Sequence, residues 1–339
     1  MAGFEGVSSI DLTADAASAT VGRVSVVVVS YFTGPLLLRS VGAAAADPDT
    51  AEIIVVDNGN PASLISEVRS LGRPERPLRI LSGHGNIGFA AACNMGARVA
   101  AAPYVLFLNP DAVPPEGALG RLIETVDRHP GPTLVGPKIV SPEGVEQAGS
   151  RRRALTPGSA LVEMSRLHRL APRLLKDRRF NAHDEPCPGK ATAVHTVSGA
   201  CFFMRRADFL AMGGMDERYF LHVEDVDFCL RVRKAGGKVV FEPAVSVTHF
   251  KSSSRVSAVR VEARKARSLT TYFWSHFGDE KLSTRIYLVL VTAAVWGLFA
   301  WRAAREGVRR VRSWAGFARR SRGAGVARAS RILSPRSAR

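Results

Sequence analysis

The chain lacks any CxxC pair and carries only four cysteines in 339 residues: Cys93, Cys187, Cys201 and Cys229. Their spacing excludes a zinc ribbon or a dithiol centre and argues against a disulfide-stapled secreted scaffold. Reduced, mostly buried thiols in a cytoplasmic protein are expected. Met1 to Gly22 has no apolar run and reads as a flexible arm, not a secretion signal. No apolar stretch reaches the roughly twenty residues needed to cross a bilayer. Ile286 to Trp301 comes nearest, with sixteen residues and no charge. Acids are nearly missing from the end of the chain. Residues 302–339 hold twelve arginines against Glu306 alone, and so carry +11 of the formal net charge of +17. The remaining body is mildly basic, and the high charge does not oblige the core to bind an anion.

What is present is an alternation of strand and helix. Val24 to Ser30 is a continuous β-branched run, the pattern of a strand buried on both faces. Leu36 to Ala46 reads as a helix. Strands at Ile53 to Asp57, Leu78 to Leu81, Tyr104 to Leu108 and Thr133 to Val140 alternate with helices at Ser63 to Leu71, Gly88 to Ala101 and Pro114 to His129. This order predicts a parallel sheet with helices on both faces. Ligands in such sheets bind beyond the carboxyl ends of the strands. Polar residues stand at those ends: Ser30 and Tyr31, Asp57 and Asn58, Asn109 and Asp111. Residues 141–190, rich in Pro, Gly and Arg, read as a long excursion. Order returns with strand-like segments over Val194 to Met204, a strand at Lys238 to Phe241, and Thr248 to Phe250 at the sheet edge. Val256 to Phe277 reads as a basic amphipathic helix.

Five carboxylates crowd into twelve residues: Asp216, Glu217, Glu224, Asp225 and Asp227. Glu224 and Asp225 fall where a helix begins, and helix N-termini favour ionised carboxylates. An ionised carboxylate at a pocket rim is what a general base requires. A plain N-terminal cap with surface acids is the alternative. Gly83 to Gly88 matches GxGxxG between a strand and a helix, which keeps a nicotinamide-dependent oxidoreductase in view. Against it, the motif follows the third strand rather than the first. Asn86 and Asn94 also suggest specific polar contacts beyond a phosphate cradle. Nucleic-acid binding by the arginine tail is a further alternative. It has little support, because no recognition motif is visible and aromatics are few.

In order, the chain reads Val-Val-Val-Ser-Tyr (27–31), Ile-Val-Val-Asp-Asn (54–58), Asn-Ile-Gly-Phe-Ala-Ala-Ala-Cys-Asn (86–94) and Leu-Phe-Leu-Asn-Pro-Asp (106–111). Met-Arg-Arg (204–206), Gly-Gly-Met-Asp-Glu (213–217), Glu-Asp-Val-Asp (224–227) and His249 follow. This set resembles the family 2 inverting glycosyltransferases, most closely their rhamnosyltransferase-like branch, from about residue 24 to 277. The resemblance implies an α/β fold of the GT-A (Rossmann-like) type: a mixed, mainly parallel sheet flanked by helices. Beyond the matched range, the apolar run and the arginine tail read as a C-terminal helical membrane-associating extension. The resemblance implies a glycosyltransferase domain over 23–278, with a nucleotide-binding half (23–140) and an acceptor and catalytic half (141–278). An arm (1–22) precedes it, and an apolar helix with the arginine tail (279–339) follows.

The resemblance also implies residue roles. Ser30, Tyr31, Asp57, Asn86, Gly88, Phe89, Asn94 and Asn109 would bind the nucleotide. Asp111 and His249 would hold a divalent metal, Mn²⁺ or Mg²⁺, and Lys251 would meet a phosphate. The metal motif reads Asn-Pro-Asp here, so its first aspartate is replaced by Asn109. Asp225 would be the general base, and Asp216, Glu217 and Glu224 would contact the acceptor. The donor implied is dTDP-L-rhamnose, with UDP-linked hexoses as the alternative. The acceptor implied is a glycan or a polyprenyl-diphosphate-linked glycan in cell-surface polysaccharide synthesis. Ile286 to Trp301 would be either a buried helix or a segment in the membrane interface. The second is preferred because the arginines follow directly. This places the protein in the cytoplasm, peripherally on the inner face of the cell membrane, with no nucleic-acid partner.

Overall fold

The computed structural model describes residues 22–165, 179–251, 258–278 and 281–305. The expected N-terminal arm and most of the arginine tail lie outside the described residues. The strands are β1 (Val24–Ser30), β2 (Thr50–Asp57), β3 (Leu78–Leu81), β4 (Tyr104–Leu108), β5 (Ala112–Val113) and β6 (Thr133–Val140). They continue with β7 (Arg151–Arg152), β8 (Thr192–Ala193), β9 (Thr196–Val197), β10 (Cys201–Arg205) and β11 (Lys238–His249). The helices are α1 (Leu36–Ala46), α2 (Ala62–Arg69), α3 (Phe89–Val99), α4 (Ala118–Asp127) and α5 (Pro157–Ser165). After them come α6 (Arg206–Ala211), α7 (Glu224–Lys234), α8 (Ala258–Phe277) and α9 (Leu282–Arg305).

The main sheet runs β3-β2-β1-β4-β10-β6-β11-β5. β3, β2, β1 and β4 are parallel, as expected. β10 then enters antiparallel between β4 and β6, and β11 runs parallel to β6. The sheet is therefore mixed but mainly parallel. β1 shows why. Its side chains alternate between two cores, with Val26 and Val28 on one face and Val27 and Val29 on the other. Each fully buried valine contributes on the order of 1.5–3 kcal/mol relative to exposure. The first face is covered by α1, α2 and α4 through Leu37, Val41, Leu64, Val68, Leu119 and Ile123. The second is covered by α3, α6 and α7 through Cys93, Ala97, Phe209, Phe228 and Val232.

A third apolar cluster lies outside the sheet. Tyr219, Tyr272 and Phe273 pack there against Leu288, Val291 and Val295 of α9. Three cysteines are buried and free, while Cys187 is free and exposed.

Two departures from the sequence reading position the site. β11 does not stop at Phe241 but continues to His249, with a register shift between Glu242 and Ser246. Pro243 lies in that shift, where it can donate no ladder hydrogen bond. The two-residue strand β5 then pairs antiparallel with the end of β11, setting His249 opposite Ala112.

Candidate active site

A cleft of about 370 Å³ opens beyond the carboxyl ends of β1, β2 and β4. Tyr31 and Thr33 line it after β1, Asn58 after β2, and Asn109, Pro110 and Asp111 after β4. Asn86, Gly88 and Phe89 supply the wall at the start of α3. Phe220, Leu221, His249, Lys251 and Arg264 close the other side. The structure thus gathers Tyr31, Asn86, Gly88, Phe89, Asn109, Asp111, His249 and Lys251 from distant parts of the sequence. Ser30 and Asp57 stand just behind this wall. Ser30 is fully buried and bonds Thr33 and Asn60, and Asp57 accepts from Asn60 Nδ2 at 2.7 Å.

Asp111 and His249 meet at the bottom of the cleft. His249 Nε2 lies 3.1 Å from Asp111 Oδ1, and Asn109 Nδ2 is 3.4 Å from the same nitrogen. Backbone pairing fixes the approach, because Phe250 N–H donates to Asp111 O at 2.9 Å. Gln147 sets the imidazole tautomer. Its Nε2 donates to the carbonyls of His249 (2.6 Å) and Val140 (3.2 Å). Its Oε1 is therefore the atom facing His249 Nδ1, 3.1 Å away, and accepts from it. In the neutral ring Nε2 then presents a lone pair toward a carboxylate oxygen. At 3.1 Å the nitrogen and the carboxylate oxygen are close enough to share a proton, as an ion pair does, or to face one cation. The pair fits a divalent metal, with Gln147 as the outer partner that orients the histidine. Among the described residues no group of three or more His, Cys, Asp or Glu is placed to hold a metal ion by itself. A metal here would thus complete its shell with water and substrate oxygens, as Mg²⁺ and Mn²⁺ do on diphosphates.

The cleft is also cationic at its mouth. Arg264 of α8 stacks over the Phe220 ring at 4.1 Å, beside Lys251. An anionic ligand fits this rim. Gly88 explains how the wall closes. Its φ is +88°, and a Cβ there would stand 2.6 Å from the Phe220 carbonyl oxygen. That oxygen accepts the Phe89 N–H at 2.9 Å. The N-terminus of α3 is therefore occupied by the protein's own backbone. This removes the dinucleotide reading of Gly83 to Gly88, since a pyrophosphate would need that same N–H. The motif also follows β3, an edge strand, and not the centre of the sheet.

Asp225 is absent from the cleft lining but is tied by backbone to Asn109 of the cleft wall. Gly199 N–H donates to its Oδ2 at 2.9 Å, and the next residue, Ala200, accepts Asn109 N–H at 2.8 Å. Arg152 of β7 forms an ion pair with the same Oδ2. Oδ1 takes only the Val226 N–H, at 2.8 Å, among the described contacts. Arg152 is itself fixed by the carbonyls of Gly149 and Val197. His222 and Val223, just before α7, both have positive φ, 69° and 74°. Non-glycine residues rarely adopt this conformation, and it concentrates at functional sites. Burial pushes the His222 imidazole down to about 4, with the Lys265 charge adding to the effect.

The other acids behave differently from one another. Glu224 is expected to be an ionised helix-start acid, and the structure corrects this. It is 6% exposed, and its Oε2 has no hydrogen-bond partner among the described residues. Burial, with the neighbouring Asp225 charge, pushes its carboxyl up to about 8. Desolvation outweighs the helix N-terminus here. Asp216 is held by the exposed Arg218. Glu217 accepts from Asn94 Nδ2 at 2.9 Å and pairs with Arg98. Asn94 also bonds both the N–H and the C=O of Met215, each at 2.8 Å. Its amide therefore anchors the 213–217 loop to α3, and it is absent from the cleft lining. Asp227 is structural: it ties Arg231, His276 and Tyr219 together.

The sequence reading missed Gln147, Arg152, Thr33, Phe220 and Arg264. Gln147 and Arg152 sit in the weakly patterned excursion, where no local signal marks them. Phe220 lies between Glu217 and Glu224, in a stretch singled out for its carboxylates alone.

The model of the family described as Glycosyl transferase family 2 matches residues 25–210. The chain belongs to glycosyl transferase family 2. It is a glycosyltransferase with a GT-A-like fold and a rhamnosyltransferase-like sequence. The N-acetylglucosaminyl-diphospho-decaprenol L-rhamnosyltransferase of Mycobacterium tuberculosis (strain ATCC 25618 / H37Rv) is 27% identical to it over 248 residues, 68% of this chain and 76% of that protein. Mannosyltransferase PcManGT from Pyrobaculum calidifontis, solved in complex with GDP-Man and Mn²⁺, superposes with a TM-score of 0.53 at 17% identity, covering 84% of the transferase and 75% of that chain. GalNAc-T7, solved with UDP, GalNAc and Mn²⁺, gives 0.54 at 16% identity, covering 74% of the transferase and 47% of that chain. The transferase thus spans about half of GalNAc-T7.

Proposed function

We propose that the transferase moves L-rhamnose from dTDP-L-rhamnose, with inversion, to an N-acetylglucosaminyl-diphospho-polyprenol at the inner face of the cell membrane. The observation that carries the reading is the Asp111–His249 pair at the bottom of a cleft built on three strand ends. The likeness to the mycobacterial rhamnosyltransferase supports the sugar and the lipid-linked acceptor. Tyr31, Asn86, Gly88, Phe89 and Asn109 bound the nucleotide in residues 23–140, with Ser30 and Asp57 shaping the wall behind them. Residues 141–278 bring the acceptor, with Asp216 and Glu217 at its approach.

Asp111 and His249 would hold Mn²⁺ or Mg²⁺, which offsets the charge of a diphosphate leaving group. Asp225 takes the proton from the attacking acceptor hydroxyl, at Oδ1, the oxygen that Arg152 leaves open. The acceptor oxygen bonds to the anomeric carbon from the face opposite the diphosphate. The bond from that carbon to the diphosphate oxygen breaks, and the electron pair leaves with dTDP. Lys251 and Arg264 meet the phosphates at the rim. Arg152 and Gly199 keep the Asp225 carboxylate aimed.

The test is donor turnover with Mn²⁺ or Mg²⁺ and the lipid-linked acceptor, over a panel of dTDP-, UDP- and GDP-sugars. Metal-dependent release of dTDP from dTDP-L-rhamnose alone is expected. Release from a UDP-hexose instead would overturn the donor assignment. Failure to bind any nucleotide-sugar would overturn the site.

A further inference from the structure

α9 has two apolar faces, and only one is covered. Leu288, Val291 and Val295 are each 2% exposed or less and pack into the third cluster with Tyr272 and Phe273 of α8. Arg302 fastens the far end, donating to Glu262 of α8 and to the Met164 carbonyl, both at 2.9 Å. On the outer side Leu282, Ile286, Val289, Leu290, Trp296 and Trp301 are between 38% and 72% exposed. Their spacing follows the helical repeat, so they form one stripe along the helix. A continuous exposed apolar stripe on a folded domain marks an interaction surface.

We infer that this stripe is the face on which the protein lies on an anionic bilayer, with α9 in the plane of the membrane. The occupant follows from what borders the stripe. Two of its members are tryptophans, the side chains that favour the headgroup level. Arg305 stacks over Trp301 at 4.6 Å, and Arg285 is exposed at the other end. The sequence from 302 onward adds eleven more arginines to Arg305 against the single acid Glu306. An apolar stripe flanked by clustered cations matches an acidic lipid surface.

The in-plane placement follows from the inner face. α9 has 24 residues and contains an 18-residue window of mean hydropathy 1.7, long and apolar enough by those measures to cross a membrane. Crossing, however, would strip Leu288, Val291 and Val295 from α8 and break the Arg302–Glu262 pair. The charge-free run of sixteen residues is also shorter than a span requires. One helix separates this face from the cleft, because α8 carries both Glu262, bonded to α9, and Arg264, in the cleft lining. A membrane-embedded acceptor would then meet the cleft without leaving the leaflet. That last consequence rests on the proposed function, whereas the docking face does not.

The test uses the full chain and vesicles of phosphatidylcholine with or without phosphatidylglycerol, read by co-sedimentation and tryptophan emission. Wild type is expected to bind only the phosphatidylglycerol vesicles, with a blue shift. Ile286→Glu/Leu290→Glu changes two exposed side chains and keeps every arginine. It is expected to weaken binding by roughly tenfold or more, with nucleotide binding unchanged. Equal vesicle binding by the variant would overturn the proposal and assign binding to the arginines alone. Wild type that ignores vesicles but dimerises in solution, with the variant monomeric, would make the stripe an interface between copies. Membrane-bound wild type that resists alkaline carbonate extraction would mean that α9 spans.

Discussion

Two regions around the cleft are built in opposite ways. The wall after β1, β2 and β4 consists of polar residues standing on the ends of strands buried on both faces. Amide side chains tie its backbone: Asn86 Oδ1 accepts the Gly88 N–H at 3.1 Å, and Asn58 Nδ2 donates to Gly88 O at 3.1 Å. The region around Asp225 is assembled from a strained turn, a helix start and a two-stranded ribbon. It buries the Arg152–Asp225 ion pair and, beside it, the protonated Glu224 carboxyl with an oxygen left unmatched. The first region is carried directly on the central sheet. The second holds its groups in costly states that only the surrounding packing sustains.

Substitutions separate the two regions by what they damage. Asp225→Asn should lower transfer by on the order of 10²–10⁴-fold while dTDP-sugar affinity stays at the wild-type value. Steady-state rates beside calorimetric titration check this, and normal transfer would remove Asp225 from the base role. Gln147→Leu acts on the other region. It should cost roughly 10–100-fold in Mn²⁺ affinity, because His249 loses the acceptor that fixes its ring. Unchanged Mn²⁺ affinity would make Gln147 a strand-end filler.

Glu224→Gln should alter stability rather than rate. The native carboxyl keeps its proton up to about pH 8, whereas the unfolded one releases it near 4.5. Wild-type stability is thus complete below the unfolded value and falls as pH rises toward 8, by on the order of a few kcal/mol. The glutamine variant has no such proton to lose, so its Tm should vary less between pH 5 and 8.5. Parallel Tm profiles would show that Glu224 ionises freely in the fold. Asn94→Ala should cost about 1–3 kcal/mol of stability through the unsatisfied Met215 backbone, with nucleotide affinity retained. A selective loss of nucleotide binding would return Asn94 to the nucleotide site.

The same contrast governs how much was legible in the sequence. β1, α1, β3, β4 and β6 have the bounds read from pattern alone. Unbroken β-branched or apolar runs between Gly, Pro and polar residues leave little choice there. The strand-end residues of the cleft followed from that alternation. β5, α5 and α6 were missed because two to nine residues carry too little periodicity. The full length of β11 was missed because Pro243 interrupts its pattern. Asn94 was read as a nucleotide contact, yet its partner is the backbone of Met215, a pairing 121 residues apart. Arg152 and Gln147 find their partners 73 and 102 residues away. Such pairings are properties of the folded chain, and composition does not announce them. Glu224 was misjudged for a different reason. A helix start favours the anion, but full burial at that turn favours the acid more.

The central claim is that Asp111 and His249 together hold a cation that the nucleotide-sugar shares. The most direct measurement is dTDP affinity with and without Mn²⁺, in wild type and in Asp111→Ala/His249→Ala. The account predicts that Mn²⁺ tightens binding to wild type and leaves the double variant unchanged, with both proteins equal in metal-free buffer. Wild-type affinity indifferent to Mn²⁺, or a double variant that still responds to it, would contradict the account.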